Sequence, residues 1–213
     1  MKESLLQSLF IGLLLFLFGS GFGQSFVTLN GEFTMKEKRN QNLKLIKGRV
    51  SIDNEKRFIK FKLSFPQDET WILNDTIFEK YNRDSLVSSF AFAKWDDISF
   101  FNDIIHLYKN DFGLKESGFT VADISKKDNQ TIVKWNPPVN FQKLIKNAYT
   151  IVEDNLLKSV SFNDPSDREI SVSFFSDFKI INGLPIPCKI SSKHTGTNEN
   201  VYKAMEFKNL SIN

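Results

Sequence analysis

The sequence predicts a mainly β protein: one continuous antiparallel sheet of about ten or eleven strands, broken mid-chain by one or two helices. Three observations carry this. Short segments alternate apolar and polar residues along most of the chain, and turn-forming Asn, Asp and Pro separate them. One stretch, residues 98–108, switches to helical spacing. No repeat, low-complexity tract or linker rich in Pro, Gly or Ser divides the chain, so residues 24–213 read as a single domain.

The first 23 residues stand apart. A short polar lead with Lys2 precedes an apolar run over 9–18, and Gly19–Gly23 closes in small residues. That is the pattern of a secretory signal peptide cleaved near Gly23. The run falls short of the ~20 apolar residues of a membrane span. The expected mature chain starts near Gln24 and is exported and soluble.

The strands follow in order. Residues 31–38 alternate Phe33 and Met35 with Thr34 and Lys36, and 43–53 alternates less cleanly. Residues 58–65 are clearest, with Ile59, Phe61, Leu63 and Phe65 against Lys60, Lys62 and Ser64. One buried and one wet face is the pattern of an antiparallel sheet. Pro66 ends that strand, since it cannot donate to a ladder. Segments 69–73, 76–81 and 85–92 then form a meander through the turns Asn74-Asp75 and Asn82-Arg83-Asp84.

At Asp96 the pattern changes. Asp96 or Asp97 caps a helix whose Ile98, Phe101, Ile104, Ile105 and Tyr108 form one stripe, widened by Phe100 and Leu107 and ended by Gly113. So wide an apolar face suits a helix lying flat on a greasy surface. Strands resume at 119–127 and 130–135, and 139–146 is a short helix or irregular. Segments 148–153, 156–162, 170–178, 186–194 and 200–210 complete the sheet, and Ile170, Val172 and Phe174 are expected on the inner side. A sheet this long tends to curl, and a curled sheet can enclose more volume than its own side chains fill.

Composition narrows the chemistry. The 213 residues include 22 Phe against 4 Tyr and 3 Trp, large apolar area with no polar tip to satisfy. A net charge of +3, with cations interspersed among acids, does not describe a nucleic-acid protein. Cys188 is the only cysteine and reads as an inert buried thiol, so no internal disulfide or Cys/His zinc site is expected. His106, off the most apolar line of its helix, and His194, beside a loop, are expected in solvent. No Gly-x-Ser-x-Gly, His-Glu-x-x-His or phosphate loop is present, and the adjacent Asp96 and Asp97 point apart. The reading is of a protein that is not an enzyme and needs no cofactor or metal.

The stretch 48–81 carries a resemblance. It runs Gly48-x-Val50-x-Ile52, Arg57-Phe58, alternating aromatics to Phe65-Pro66, then Ile72-Leu73-Asn74-Asp75 and Ile77 to Tyr81. Later come Ser171–Phe178, Leu184-Pro185-Ile186-Pro187 and a last strand ending at Asn213. This order of strands resembles the periplasmic outer-membrane lipoprotein carriers, the LolA-like family. The resemblance implies an unclosed β-barrel of about eleven antiparallel strands with a helical lid over an apolar cavity for lipoprotein acyl chains. It also implies an inner-membrane donor and an outer-membrane acceptor. The family's opening amphipathic helix has little room in residues 25–30. Its functional arginine falls at Asn54 when aligned on Phe58, with Arg57 merely near.

The candidate lipid-binding residues are Phe33, Met35, Ile59, Phe61, Leu63, Trp71, Leu73, Phe101, Ile105, Val133, Trp135, Phe174, Met205 and Phe207, with Val121 a further inward candidate. Each fits an ordinary core equally well; the binding reading rests on the set. Two functions stand: a monomeric periplasmic carrier of acyl chains, or a non-transporting β-sandwich with a filled core that binds an envelope protein.

Overall fold

The computed structural model describes residues 28–213 apart from 54, 75–76, 92–102, 105, 107–108 and 197–198. The signal-peptide reading, Asp96, Asp97, Phe101, Ile105 and most of the stripe at 98–108 therefore lie outside the described residues.

The described residues form thirteen strands in one antiparallel sheet. They are β1 (Thr28–Arg39), β2 (Asn42–Asp53), β3 (Phe58–Phe65), β4 (Thr70–Asn74), β5 (Ile77–Asn82) and β6 (Ser85–Ala91). After the mid-chain segment come β7 (Thr120–Lys127), β8 (Gln130–Asn136), β9 (Asn147–Glu153), β10 (Leu156–Asn163), β11 (Glu169–Ile181), β12 (Leu184–Thr195) and β13 (Asn200–Ile212). Every segment read from alternation is a strand. The expected total of ten or eleven becomes thirteen, because each alternating segment, the short pieces of the meander included, pairs as a strand of its own.

Spatial order is β6-β5-β4-β3-β2-β1-β13-β12-β11-β10-β9-β8-β7. All neighbours but one are joined by hairpins. The exception is central: the first and last strands pair, with Phe33 opposite Phe207 and Met35 opposite Met205. The consecutive strands β6 and β7 consequently sit at the two far edges. The chain between them must travel from one edge of the sheet to the other. The sheet does not close.

Tight turns set the register. Asp154 and Asn155 both take positive φ (51° and 60°), as do Asn182 and Gly183 (49° and 80°). That is the type I′ geometry whose twist matches paired strands. A 3-10 turn at Val139–Phe141 stands where a short helix or irregular segment was expected.

One face of the sheet is buried and gathers into a single hydrophobic cluster spanning Leu73 on β4 to Trp135 on β8. Ile104, Phe112, Leu114 and Phe119, from the crossover between β6 and β7, belong to the same cluster. The crossover thus packs on the inner face. Asp103 and Ile104 carry helical backbone; among the described residues no longer α-helix is defined.

Candidate functional site

Strand register arranges the inner face in transverse rows. One row runs Phe207, Phe33, Gly48, Leu63 across β13, β1, β2 and β3. The next runs Phe175, Ile190, Met205, Met35, Ile46 from β11 to β2. These side chains are buried, and the Phe33 and Phe61 rings meet edge to face at 5.0 Å. Aromatic and thioether groups with no polar tip make this zone chemically uniform: it offers dispersion contacts and nothing to a charge.

Phe33, Met35, Ile59, Phe61, Leu63, Leu73, Trp135, Met205 and Phe207 are all buried in the one cluster. Trp71 and Val133 are partly buried and pack against it. Phe174 is on the other side. It is 53% exposed, while Ser171, Ser173 and Phe175 face inward. The sequence Ile-Ser-Val-Ser-Phe-Phe ends in two adjacent aromatics, so either parity can bury one, and polar partners inside select the serines. Val121 is also outside the core, 45% exposed on the edge strand β7.

Two further expectations are corrected. His106 is buried with its ring 6.0 Å from that of Phe112, and its atoms lie against Gly113, whose φ is +66°. Burial, reinforced by the charge of Lys109, pushes its pKa down to about 4. His194 is buried with Nδ1 3.0 Å from Ser171 Oγ. Both were expected in solvent. The pattern along one element carries no record of partners from elsewhere in the chain, here Ser171 for His194 and Phe112 for His106. Cys188 is buried and its thiol is pushed up by burial.

Trp71 is fixed by a buried acid. Glu69 Oε2 accepts from the indole N–H at 3.0 Å, Lys80 Nζ lies 2.7 Å from Oε1, and Gln67 donates as well. Burial alone would raise the Glu69 pKa; its hydrogen bonds to Lys80 and Trp71 overcome this and hold it below the usual range. Arg57, at the β2–β3 turn, has positive φ, and its charge reaches His106 and Glu116 on the crossover. Asn54, the other position considered for the family's arginine, lies outside the described residues.

Beyond the apolar rows the inner face turns polar. Register aligns Ser173, Ser192, Lys203, Glu37 and Lys44 across β11, β12, β13, β1 and β2. The next row is Ser171, His194, Val201, Arg39. Asp103 reaches from the crossover to accept from Ser173 Oγ at 2.7 Å. Burial drives its pKa up to about 8, against the opposing pull of Ser173 and Lys203. None of this polar zone was anticipated. Lys203 was legible, since it shares parity with Met205 and Phe207; the serines were not.

The outer face is different in kind. A groove of about 750 Å3 runs over Lys47, Arg49, Lys62 and Lys208 with Glu32 and Glu206. Its charged lining does not suit an acyl chain. Among the described residues no group of three or more His, Cys, Asp or Glu is placed to hold a metal ion, and no helix is long and apolar enough to cross a membrane.

A broad unclosed antiparallel sheet, buried on one face beneath its own edge-to-edge crossover, is a LolA-like fold. It is similar to a LolA superfamily protein from Nitrosomonas europaea at TM-score 0.59 and 8% identity, covering 89% of this chain and 88% of that one. A DUF1329 family protein from Desulfovibrio piger is similar at TM-score 0.65 and 14% identity, covering 89% and 87%. No family model and no curated protein matches the sequence.

Proposed function

We propose that this protein is a periplasmic carrier that takes lipoprotein or related acyl chains against the inner face of its open sheet and moves them toward the outer membrane. One observation carries the reading. The buried face of an unclosed sheet, uniformly apolar from Phe207 through Phe33 to Leu63, is covered by a crossover tied to the sheet by chain connection only at its two ends. The crossover is the lid, and Ile104, Phe112, Leu114 and Phe119 are the apolar side it lays on the sheet. In this reading the protein works as a monomer and not as an enzyme, between an inner-membrane donor and an outer-membrane acceptor.

The energetics suit release as well as capture. Burying an acyl methylene is worth about 0.8 kcal/mol, so a ~16-carbon chain contributes roughly 10–13 kcal/mol. Uncovering Ile104, Phe112, Leu114 and Phe119 costs about 1.5–3 kcal/mol each. The two are of similar size, so cargo and lid compete for one surface and neither is held irreversibly.

A fluorescent fatty-acid probe should bind the mature protein and be displaced by lipid. Phe61→Glu or Trp71→Glu should abolish binding and leave folded protein, because a charge on an opening wall stays hydrated. The competing reading, a filled core serving a protein partner, draws on the same close packing of the inner cluster. It requires no probe binding and unfolding of Phe61→Glu, since the charge would then be buried unpaired. That pair of results overturns the carrier.

A further inference from the structure

Charge is unevenly spread over the outer face of the sheet. On β2 and β3, Arg49 stands directly opposite Lys62, and Lys47 and Lys60 lie one step along the same face of their strands. Like charges directly opposite each other cost stability, so strand pairing does not account for this arrangement. Lys36 and Lys38 on β1, Lys208 on β13 and Lys193 on β12 extend the field, and all but Lys193 are exposed. Among the described residues none of these eight cations forms an ion pair. Lys189, on the same face of β12, is paired with Asp177 at 2.6 Å. This face of the five strands carries three acids, Glu32, Glu206 and Asp53, and Asp53 is taken by Lys56 at 3.6 Å. The whole chain has a net charge of only +3, so the excess here is offset elsewhere.

We propose that the outer face of β12, β13, β1, β2 and β3 docks on an anionic phospholipid surface, with the inner face and its crossover turned away from the bilayer. Extent decides against a small anion. The field crosses four strand spacings, about 19 Å, and runs from the row of Lys60, Ser51 and Asn30 to that of Lys38, about 27 Å along β1. Composition decides against a protein partner. Protein interfaces are depleted in Lys and centre on buried apolar anchors, whereas seven of these eight cations are lysines and no apolar anchor stands among Lys47, Arg49, Lys60 and Lys62. Clustered lysines suit anionic headgroups, which ask for charge density and no fixed geometry. One end of the field adds the side chains of a membrane interface. Tyr202, 45% exposed, stands between Lys193 and Lys38, and Leu43, 70% exposed, stands beyond Lys38 in the same row. The acyl-binding reading uses the opposite face, so the two stand independently.

The test is co-sedimentation of the full mature protein with two kinds of vesicle, pure phosphatidylcholine and phosphatidylcholine with about one third phosphatidylglycerol. The protein should bind the anionic vesicles and not the neutral ones, and should be released as salt rises from about 50 to about 500 mM. Each cation removed should weaken binding about fivefold, so the double variant Arg49→Gln, Lys62→Gln should weaken it about 25-fold. Both side chains are exposed and face a like charge, so the melting temperature should not fall. The double variant Lys126→Gln, Lys127→Gln on the edge strand β7 removes the same charge away from the field and should change binding by less than about twofold. Fatty-acid probe binding should be the same in both variants as in the wild type. Equal binding to the two kinds of vesicle, or binding to neither, overturns the docking face. Equal weakening by the two double variants overturns it too, since attraction would then follow net charge. Displacement from anionic vesicles by poly-glutamate at matched charge would favour an acidic protein partner and also overturn it.

Discussion

Asp103 and His106 sit three residues apart on the crossover and titrate in opposite senses. Burial raises Asp103 from 3.8 to about 8, so its contribution to stability is complete below pH 3.8 and is lost as pH rises toward 8. Burial lowers His106 from 6.5 to about 4, so its contribution is complete above pH 6.5 and is lost as pH falls toward 4. Between pH 6.5 and 8 only Asp103 of the pair changes. The wild-type melting temperature should therefore rise as pH drops from 8 to 6.5. Asp103→Asn, neutral throughout, should flatten that rise; a slope unchanged in the variant would locate the dependence elsewhere. A second single-residue effect belongs to Glu69. Glu69→Ala leaves the Trp71 N–H and Lys80 without their acceptor and should cost about 1–3 kcal/mol in urea denaturation. Neither residue was legible as functional in the sequence. Asp103 follows an aromatic run and Glu69 a Pro-Gln-Asp turn, and only distant partners, Ser173 and Lys80, give them meaning.

Elements were far easier to read than residues. Strand β3 matches its alternation from Ile59 to Ser64, because a half-buried strand writes its two environments in alternate positions, and departs from it only at its last residue, Phe65, which is exposed. The register of β11 was not readable, since serines inside and Phe174 outside reverse the usual code. Gly48 marks another place where an element depends on a neighbour. A Cβ there would stand 2.2 Å from the Lys62 carbonyl oxygen, beside the irregularity between Lys47 and Gly48. Gly48→Ala must push β3 away from β2, and overpacking of this kind costs about 1–3 kcal/mol. A thermal melt reads it directly; an unchanged midpoint would mean that the two strands separate freely. The crossover has its own test in Phe112, whose ring meets Phe162 and Phe175 at 6.4 and 6.0 Å. Phe112→Ala should lower stability by about 3–5 kcal/mol and, if the crossover is the lid, tighten acyl-probe binding.

At the scale of the molecule, alternation says that there is a sheet and leaves strand order open. Pairing of the first strand with the last is a long-range event with no local signature, and it sends β6 and β7 to opposite edges. That arrangement has a cost, because an edge strand presents unpaired backbone to any other chain. The two edges are protected unequally. On β7 the exposed Val121 and Ile124 stand among Asp123, Lys126 and Lys127. On β6, whose sequence is Ser-Leu-Val-Ser-Ser-Phe-Ala, the exposed Leu86, Val87 and Phe90 have no charge within the strand. Association on heating should therefore begin at β6. Val87→Lys should raise the temperature at which light scattering starts, with the midpoint of unfolding shifted by less than about 0.5 kcal/mol, because the side chain is 58% exposed. Ile124→Lys, added to an edge already charged, should change the onset little. Equal protection by both substitutions would show that the two edges associate alike, and that charge within the strand is not what distinguishes them.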